Sequence, residues 1–560
     1  MFQETRSLDI SLRAMLDLIC VHLILTMSFP NKLMGRMTPR RAVRLTDLLF
    51  YLTVAAIGVI SGFALYYRTT NVWNLKNLGD TFLTKHIGRR PIIIGAFHRQ
   101  LHEQNVGGHY AVFQFLGNGR ESYSLYCLSK DDNGKEVIDR AQIERIHKGK
   151  RAANDACSWS GHLAECRIAS GSIDSVKVST ISNFSEALDV TLEKPTYFPE
   201  RQKLVVCVSP LYIYVEWKFL VTAIETWIAM GASKIVIPIQ SVSANAYNII
   251  KKYEEQGIVI IRQHAKWPVL SDVNPNGLVL SRGIEESHVN CLHFVKPFAD
   301  MVIFTDVDDV LLPLNPMNLN DGPLAIIEDL TKEHPQAGSF LLEHANTQFV
   351  LSENNVEPTL KNFNFDFLKN TQWTASCKVK RIPTRVIVNA SRVDTVNMHE
   401  TGNLRLGYLQ VRVPCRKGHF YHLRHTFKNK AFGETRVDMS ALAAKLNAQW
   451  KGRLENTFGE LSSTALEKTS TESFKDFDRC TESIDAELWK LSASRCLTAN
   501  VCFSRITRNV DCVALQSNYS FAKTGEDFVI GLNRSEFIKS KPNCEAPLPE
   551  YVSGNSYFLP

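Results

Sequence analysis

The segment best suited to chemistry lies at residues 304–313 and reads FTDVDDVLLP. Asp306 and Asp308 follow an apolar run at alternate positions, so an extended backbone would point both carboxylates to one side. Paired carboxylates with open coordination positions suit Mn²⁺ or Mg²⁺, which protein and substrate phosphates bind jointly. The pattern predicts a site for Mn²⁺ (or Mg²⁺) that includes Asp306, Asp308 and Asp309, and the alternative is an ordinary acidic turn.

Two classes of enzyme place such a pair at the end of a strand. One is a nucleotide-sugar glycosyltransferase of the GT-A fold, in which the metal neutralises charge on a departing diphosphate. The other is a haloacid-dehalogenase-type phosphohydrolase, in which the first aspartate is the nucleophile. That nucleophile usually ends the first strand of its domain, whereas at least three strand–helix elements precede Asp306 here. The position favours the glycosyltransferase, and the phosphohydrolase stays as an alternative.

Apolar strands and amphipathic helices alternate ahead of the aspartates and must position them. The expected strands are Leu204–Val208, Lys234–Pro238, Ile258–Arg262 and Met301–Thr305. The expected helices are Val215–Met230, Ala244–Gln256 and Ile284–Phe298. This rhythm predicts an α/β fold with a mostly parallel sheet flanked by helices over residues 201–457. Such sheets bind ligands at the carboxyl ends of their strands.

The chain resembles glycosyltransferase family 92. The resemblance covers roughly Lys203 to Phe427 and is carried by several short motifs together. They are KLVVCVSPLY at 203–212 with Glu216-Trp217, Met230-Gly231-Ala232, Tyr253 with Gly257-Ile258-Val259, Asn290-Cys291-Leu292, and Asp306-Val307-Asp308-Asp309. The family pattern usually reads Asp-x-Asp-Glu, and Asp309 replaces the last residue. The later His-Tyr-Arg of the family matches only loosely, as His422-Leu423-Arg424.

The resemblance implies a GT-A-like enzyme that transfers galactose from UDP-galactose, with inversion, onto a glycan or glycoprotein acceptor such as a fucosylated N-glycan core. Composition and spacing do not show the sugar or the acceptor. The formal net charge of +7 is mild for 560 residues, so no nucleic-acid partner is expected. A third hypothesis is a non-catalytic, membrane-anchored glycan-binding protein built on the same domain.

Further candidate residues follow from this fold and reaction. Residues that end the first strand would lie near the nucleotide, and Arg424 could pair with phosphate oxygens. Two imidazoles could complete the metal shell. Inverting transfer needs a carboxylate base, for which Glu343 is the first choice and Asp366 the second. The residues that end the first strand are Val208, Ser209 and Pro210, and the two imidazoles are those of His399 and His422.

Residues 48–67 form an uncharged 20-residue stretch, long enough to span the hydrocarbon core of a bilayer. Five basic residues precede it between Asn31 and Thr46 without an acidic one, so residues 1–47 are expected to be cytoplasmic. The sequence predicts a single-pass type II membrane protein of the Golgi. Its lumen would contain a stem and β-rich accessory region at 68–200, the catalytic domain, and a cysteine-containing extension at 458–560.

Cysteines and glycosylation sequons agree with a luminal body. Twelve of the 13 cysteines follow the expected span, which predicts disulfide bonds in an oxidising compartment. Cys207 and Cys291 sit in apolar surroundings and are expected to be plain core thiols. Four N-x-Ser/Thr sequons lie beyond the span, at Asn183, Asn389, Asn518 and Asn533.

Overall fold

A computed structural model gives the fold of the larger part of the chain. It describes residues 88–101, 107–146, 157–313, 322–349, 358–370, 372–373, 384–397, 399–425, 438–467, 510–540 and 544–551, with the single residues 319, 479 and 483. Within these ranges, no helix has the length and apolar character needed to cross a membrane. The predicted span at 48–67 lies outside the described residues. The chain divides into the units Met1–His86 and Ile87–Pro560, and all elements below belong to the second.

The region before the domain that is expected to be catalytic consists of strands. They are β1 (Ile92–Leu101), β2 (Gly108–Asn118), β3 (Tyr126–Lys130), β4 (Glu136–Arg140), β5 (Gln142–Arg145), β6 (Trp159–Ile168), β7 (Ser175–Ser179) and β8 (Leu188–Thr191). These strands lie within residues 68–200, where the sequence predicts a stem and a β-rich accessory region. Their alternate apolar residues pack into a core between two sheets, in which Phe113 and Phe115 are fully buried.

The domain expected to be catalytic alternates strands and helices in its first half, as the sequence predicts. Its strands are β9 (Gln202–Val208), β10 (Lys234–Ile239), β11 (Ser241–Ser243), β12 (Val259–Gln263), β13 (Ala299–Thr305), β14 (Asp309–Leu312), β15 (Ala337–Phe349), β16 (Gln372–Trp373), β17 (Thr384–Asn389), β18 (Leu409–Arg412) and β19 (His419–His425). Its helices are α1 (Trp217–Ala229), α2 (Ala244–Glu255), α3 (Ile284–Val295), α4 (Pro323–Glu333) and α5 (Ser440–Arg453).

One ten-stranded sheet organises this region, with the order β12-β10-β9-β13-β17-β15-β19-β14 and with β16 and β18 beside β15. The four strands β12, β10, β9 and β13 are parallel. Leu204 to Val208 are at most 2% exposed because both faces of β9 are covered, one by a core that includes α1 and α2 and the other by a core that includes α3.

The second half of the domain is mixed rather than mostly parallel, since β15 pairs in parallel with β18 and β19 but the other pairs are antiparallel. β17 is antiparallel to both β13 and β15, and β14 is antiparallel to β19. Parallel neighbours require a crossover connection of a dozen or more residues, usually a helix. Such βα repeats are regular only as far as β13, so the sheet is mixed.

The C-terminal segment completes the accessory sheet. Its strands are β20 (Cys512–Thr524), β21 (Asp527–Ser540) and β22 (Glu550–Tyr551). β20 and β21 form a hairpin, and β21 pairs in parallel with β1 while β20 pairs with β11 of the catalytic region. The larger accessory sheet therefore has the order β11-β20-β21-β1-β2-β6-β5. It joins the two ends of the described chain to the catalytic domain.

Disulfide bonds connect elements in both regions. Cys127–Cys166 links β3 to β6, and Cys512–Cys544 fixes the C-terminal hairpin to the segment that follows it. Cys207–Cys291 links β9 to α3, so the expectation of two free core thiols is wrong. Apolar surroundings are shared by buried thiols and buried disulfides, and only the packing of α3 on β9 brings these two sulfur atoms together.

Candidate active site

The aspartates lie at the point where the direction of strand order reverses. The chain forms β9, β10 and β12 in one direction and then returns to add β13 on the other side of β9. Ligands of open α/β sheets bind at this switch point, outside the carboxyl ends of the strands. Ser209 follows β9 and Asp306 follows β13, and the Ser209 hydroxyl donates to Asp306 Oδ1 at 2.6 Å. The two strand ends are thus joined directly.

Residues 306–309 form a turn rather than an extended strand end. The Asp309 amide donates to the Asp306 carbonyl at 3.1 Å, closing the turn. Val307 packs into the core, while the side chains of Asp306 and Asp308 are 29% and 30% exposed. The predicted extended backbone is wrong here, although the turn still brings carboxylate oxygens of Asp306 and Asp308 within 4.8 Å of each other.

Asp309 is the buried anion around which the site is built. Its side chain is 0% exposed, and its Oδ1 accepts from His344 Nε2 at 2.9 Å and from His422 Nδ1 at 2.5 Å. Its Oδ2 accepts from the Thr305 hydroxyl, the Asp306 amide and Arg385 Nε. Burial alone would raise the pKa of Asp309, but Arg385 and the two imidazoles hold it well below its ordinary value.

Arg385 supplies the positive charge inside the cluster. Its side chain is 5% exposed, and its Nη2 also donates to Asp306 Oδ2. Burial opposes the charge of the guanidinium, but Asp306 and Asp309 raise the pKa of Arg385. Burial would likewise raise the pKa of Asp306, and Arg385 more than offsets it, so that pKa is lowered. Arg385 offsets part of the charge that three adjacent carboxylates would otherwise concentrate here.

His422 links the buried anion to the more exposed aspartate. Because the Asp309 carboxylate accepts, His422 Nδ1 carries the proton, and Nε2 lies 3.4 Å from Asp308 Oδ2. A carboxylate that fixes the tautomer of an imidazole ligand is the usual support of a metal site. Potential ligand atoms of Asp306, Asp308, Asp309 and His422 lie within 4.8 Å of one another. This donor set fits a divalent cation, with Asp308 and His422 Nε2 as its best-placed ligands.

His288 contacts the strand end from α3. Its Nε2 lies 3.3 Å from the Ser209 hydroxyl, and burial lowers the pKa of His288 to about 3. The ring is therefore neutral at physiological pH. Since Ser209 donates to Asp306, the neutral imidazole can donate to Ser209 in turn and hold its hydroxyl in place.

Four other residues predicted to bind the nucleotide or the metal have no contact with this cluster among the contacts described above. Val208 is buried at the end of β9, and Pro210 follows Ser209 there. His399 Nδ1 is bonded to the Thr384 carbonyl at 2.9 Å, and neither potential metal group among the described residues includes it. Arg424 lies in β19, two residues beyond His422, and its side chain is outside the described part.

The two carboxylates predicted as catalytic base are not brought to the aspartates by contacts among the described residues. Glu343 precedes His344 on β15, so strand alternation directs its side chain to the opposite face. Its Oε2 is buried without a hydrogen-bond partner among the described atoms. Asp366 lies on the surface, where it pairs with Lys369 and accepts from Asn447.

Sequence reasoning missed Arg385 and His344. Both come from strands far along the chain from Asp309, and no local motif marks them. One signal was available for Arg385, because it is the one charged residue within the apolar run of β17. A cation buried in a strand requires a carboxylate partner, so its position predicts an ion pair at the sheet.

The sequence of this domain matches a known family. Residues 202–474 match the profile described as glycosyltransferase family 92. The chain carries a glycosyltransferase family 92 domain. The match contains β9 to β19, and with them all of the residues that form the cluster around Asp309.

Relatives of the family 92 domain include two Caenorhabditis elegans proteins, each described as a glycosyltransferase family 92 protein. Both are 24% identical to this chain, over 271 and 276 residues, which are 47% and 48% of the chain. The matched segments make up 50% and 49% of the two relatives. The chain thus spans about half the length of the curated relatives it matches.

Solved structures give a weaker likeness. The crystal structure of S. aureus TarS 1-349 in complex with UDP-GlcNAc is 13% identical, covers 52% of this chain and 74% of its own, and has a TM-score of 0.22. The UDP complex of the same protein is 13% identical, with coverage of 45% and 71% and a TM-score of 0.23.

Proposed function

We propose that this protein is a metal-dependent, inverting glycosyltransferase. Its donor is a UDP-sugar, most specifically UDP-galactose, and its acceptor is a glycan or glycoprotein such as a fucosylated N-glycan core. The family 92 domain supports the reaction class. The galactose and the acceptor rest on the resemblance to this family.

The observation that carries the proposal is the junction of two strand ends at the switch point of the sheet. Ser209 and Asp306 meet there, and Asp308 with His422 Nε2 lies beside them. Nucleotide ligands of open α/β sheets bind at this position. A cation held by Asp308 and His422 would offset the negative charge that develops on UDP as the glycosidic bond breaks.

The protein groups have separate tasks in this arrangement. Asp308 and His422 are the proposed metal ligands. Asp309 fixes the His422 tautomer, and Arg385 holds the carboxylates of Asp306 and Asp309 in place. These groups are oriented before substrate arrives, so little reorganisation is needed when charge develops.

The phosphohydrolase alternative fits the geometry less well. Its nucleophilic aspartate would be Asp306, whose two oxygens are bonded to Ser209 and Arg385. Asp306 also follows the fourth parallel strand of its sheet rather than the first. A trapped aspartyl phosphate during hydrolysis of a simple phosphomonoester would nevertheless favour that enzyme over the transferase.

The proposal is tested by turnover of a panel of UDP-sugars by the purified protein, with and without acceptor, in Mn²⁺ and in chelator. Metal-dependent turnover of UDP-galactose with a fucosylated acceptor is expected. Turnover of another UDP-sugar alone would retain the mechanism and discard the galactose assignment. Absence of turnover with every donor would favour the non-catalytic glycan-binding protein.

We also propose the Golgi as the location, with residues 48–67 spanning the bilayer and the catalytic domain in the lumen. The basic residues before this stretch and the disulfides after it support the orientation. In intact microsomes the family 92 domain should resist added protease, and a glycosidase should reduce the mass of the protein. Digestion of residues 202–474 without detergent would contradict the orientation.

A further inference from the structure

A large cleft lies between the accessory strands and the catalytic domain, on the far side of β12 from the aspartates. It encloses about 690 Å³ and is lined by β1, β8, α2, β12 and the C-terminal hairpin. This volume falls within the roughly 300–1,000 Å³ of small-molecule sites. β12 is three strands away from β13, or about 14 Å at the usual strand spacing. The cleft is therefore separate from the candidate active site.

Two β-bulges shape the walls of the cleft. In β1 the pairing with β2 skips Ile94, and in β21 the pairing with β20 skips Asn533. Both extra residues line the cleft. Bulges redirect side chains and are common beside functional sites, so these two interruptions form the walls from strands that would otherwise pair regularly.

The charged groups of the cleft exclude phosphate as its ligand. Arg262 forms two hydrogen bonds with Glu193 and a third with Asn290 Oδ1 at 3.0 Å. Lys251 pairs with Glu254. Both lining cations are thus neutralised within the protein, and a phosphate or sulfate would find no unpaired positive charge among the lining residues.

The edge of β12 is also closed to an added peptide strand at this point. The Ile261 amide donates to Glu254 Oε1 at 3.2 Å, so a side chain already occupies the position that a peptide carbonyl would take. Strand addition depends on unpaired main-chain groups of this kind. A peptide ligand is therefore disfavoured.

The groups that line the cleft fit a neutral polyhydroxylated ligand. Side-chain amides and hydroxyls of Gln263, Asn290, Ser520 and Asn533 line the cleft. Internal bonds use Asn290 Oδ1, which accepts from Arg262, and Asn533 Nδ2, which donates to Ser520 Oγ. The Asn290 amide hydrogens, the Ser520 hydroxyl hydrogen and Asn533 Oδ1 are further donors and an acceptor suited to sugar hydroxyls. The rings of Tyr247 and Phe537, 5.3 Å apart, offer an apolar surface for the C–H face of a sugar ring. Hydrogen bonds within the protein hold several of these groups, which lowers the entropic cost of binding.

We propose that this cleft binds a carbohydrate chain at a site distinct from the donor site. The ligand could be a free glycan or the chain's own glycan, because Asn533 begins the sequon Asn533-Arg534-Ser535 and lines the cleft. The chemistry of recognition is the same in both cases. The site does not depend on the proposed transfer reaction, and binding and donor turnover are measured separately.

The test uses a variant that fills the cleft. Leu532 lines it and is 38% exposed, so Leu532→Trp inserts an indole without disturbing a core. Leu548 is 58% exposed and is not a lining residue, so Leu548→Trp is the matched control. Each change is made in the full chain with intact Asn533 and with Asn533→Gln. Binding is measured on an array of neutral oligosaccharides, with and without fucose.

Two results would support the site and distinguish its sources. Array binding by the Asn533→Gln protein, reduced at least tenfold by Leu532→Trp but not by Leu548→Trp, identifies a free glycan. A wild-type glycan at Asn533 that resists glycosidase, and becomes sensitive only in Leu532→Trp, identifies the chain's own glycan. The proposal would be overturned if neither result were obtained, or if Leu532→Trp and Leu548→Trp reduced binding equally. Donor turnover unchanged by Leu532→Trp would show that the domain remains folded.

Discussion

Replacement of Asp309 by asparagine should destabilise the fold far more than the same change at Asp308. Asp309 is fully buried, and donors surround both of its oxygens: two imidazoles at Oδ1, and a hydroxyl, an amide and Arg385 at Oδ2. In either orientation, the asparagine NH₂ would face donors and leave Arg385 with the partly exposed Asp306 as its remaining ion-pair partner. Removing one partner of a buried ion pair costs about 3–5 kcal/mol.

This loss is a large fraction of the roughly 5–15 kcal/mol that stabilises a typical domain. Asp308 is 30% exposed, so Asp308→Asn should change the unfolding free energy by about 1 kcal/mol or less. Urea unfolding followed by tryptophan fluorescence measures both variants under the same conditions. Equal stability of the two variants would refute the assignment of Asp309 as the organising anion.

The other predictions concern pH, disulfides and the internal cation. Burial lowers the pKa of His162 in the accessory strands to about 4, so the folded state resists a proton that the unfolded chain accepts near pH 6.5. The melting temperature should therefore decrease as the pH is lowered from 6.5 to 4, and His162→Phe should reduce that decrease. An unchanged dependence of melting temperature on pH in the variant would argue against a neutral His162. Mass mapping without reductant should recover Cys207–Cys291, and detection of both as free thiols would contradict the fold at β9. Arg385→Gln should tighten Mn²⁺ binding because it removes a neighbouring positive charge, whereas Arg385→Lys keeps the charge and should not. Calorimetry measures the Mn²⁺ affinity of both variants. Equal affinities would show that the charge of Arg385 does not act on the metal.

The first half of the catalytic domain could be predicted from local sequence. Apolar runs and helices with regular periodicity identify β9, β10, β12 and β13, and the position of Asp306 after a strand indicates a ligand site. These features depend on neighbouring residues, which a sequence displays directly. The alternate spacing of Asp306 and Asp308 predicted an extended segment, whereas a turn brings the two carboxylates close together.

The remaining features depend on contacts between distant residues. Arg385 reaches Asp309 across 76 positions, and His422 reaches it across 113. The C-terminal hairpin pairs with β1, which lies more than 400 residues earlier in the chain, and no local sequence pattern predicts this pairing. The role of Asp309 also emerged only from its burial, because its sequence position alone makes it look like a third metal ligand.

The most direct test of the central claim compares turnover of UDP-galactose by the wild type and by Asp308→Asn while Mn²⁺ is varied. Chelator should abolish wild-type turnover, and added Mn²⁺ should restore it. Asp308→Asn should stay folded, as judged by circular dichroism, and lose about 100-fold or more in turnover. Full activity of Asp308→Asn, or wild-type turnover unaffected by chelator, would contradict a metal-dependent transferase at this site.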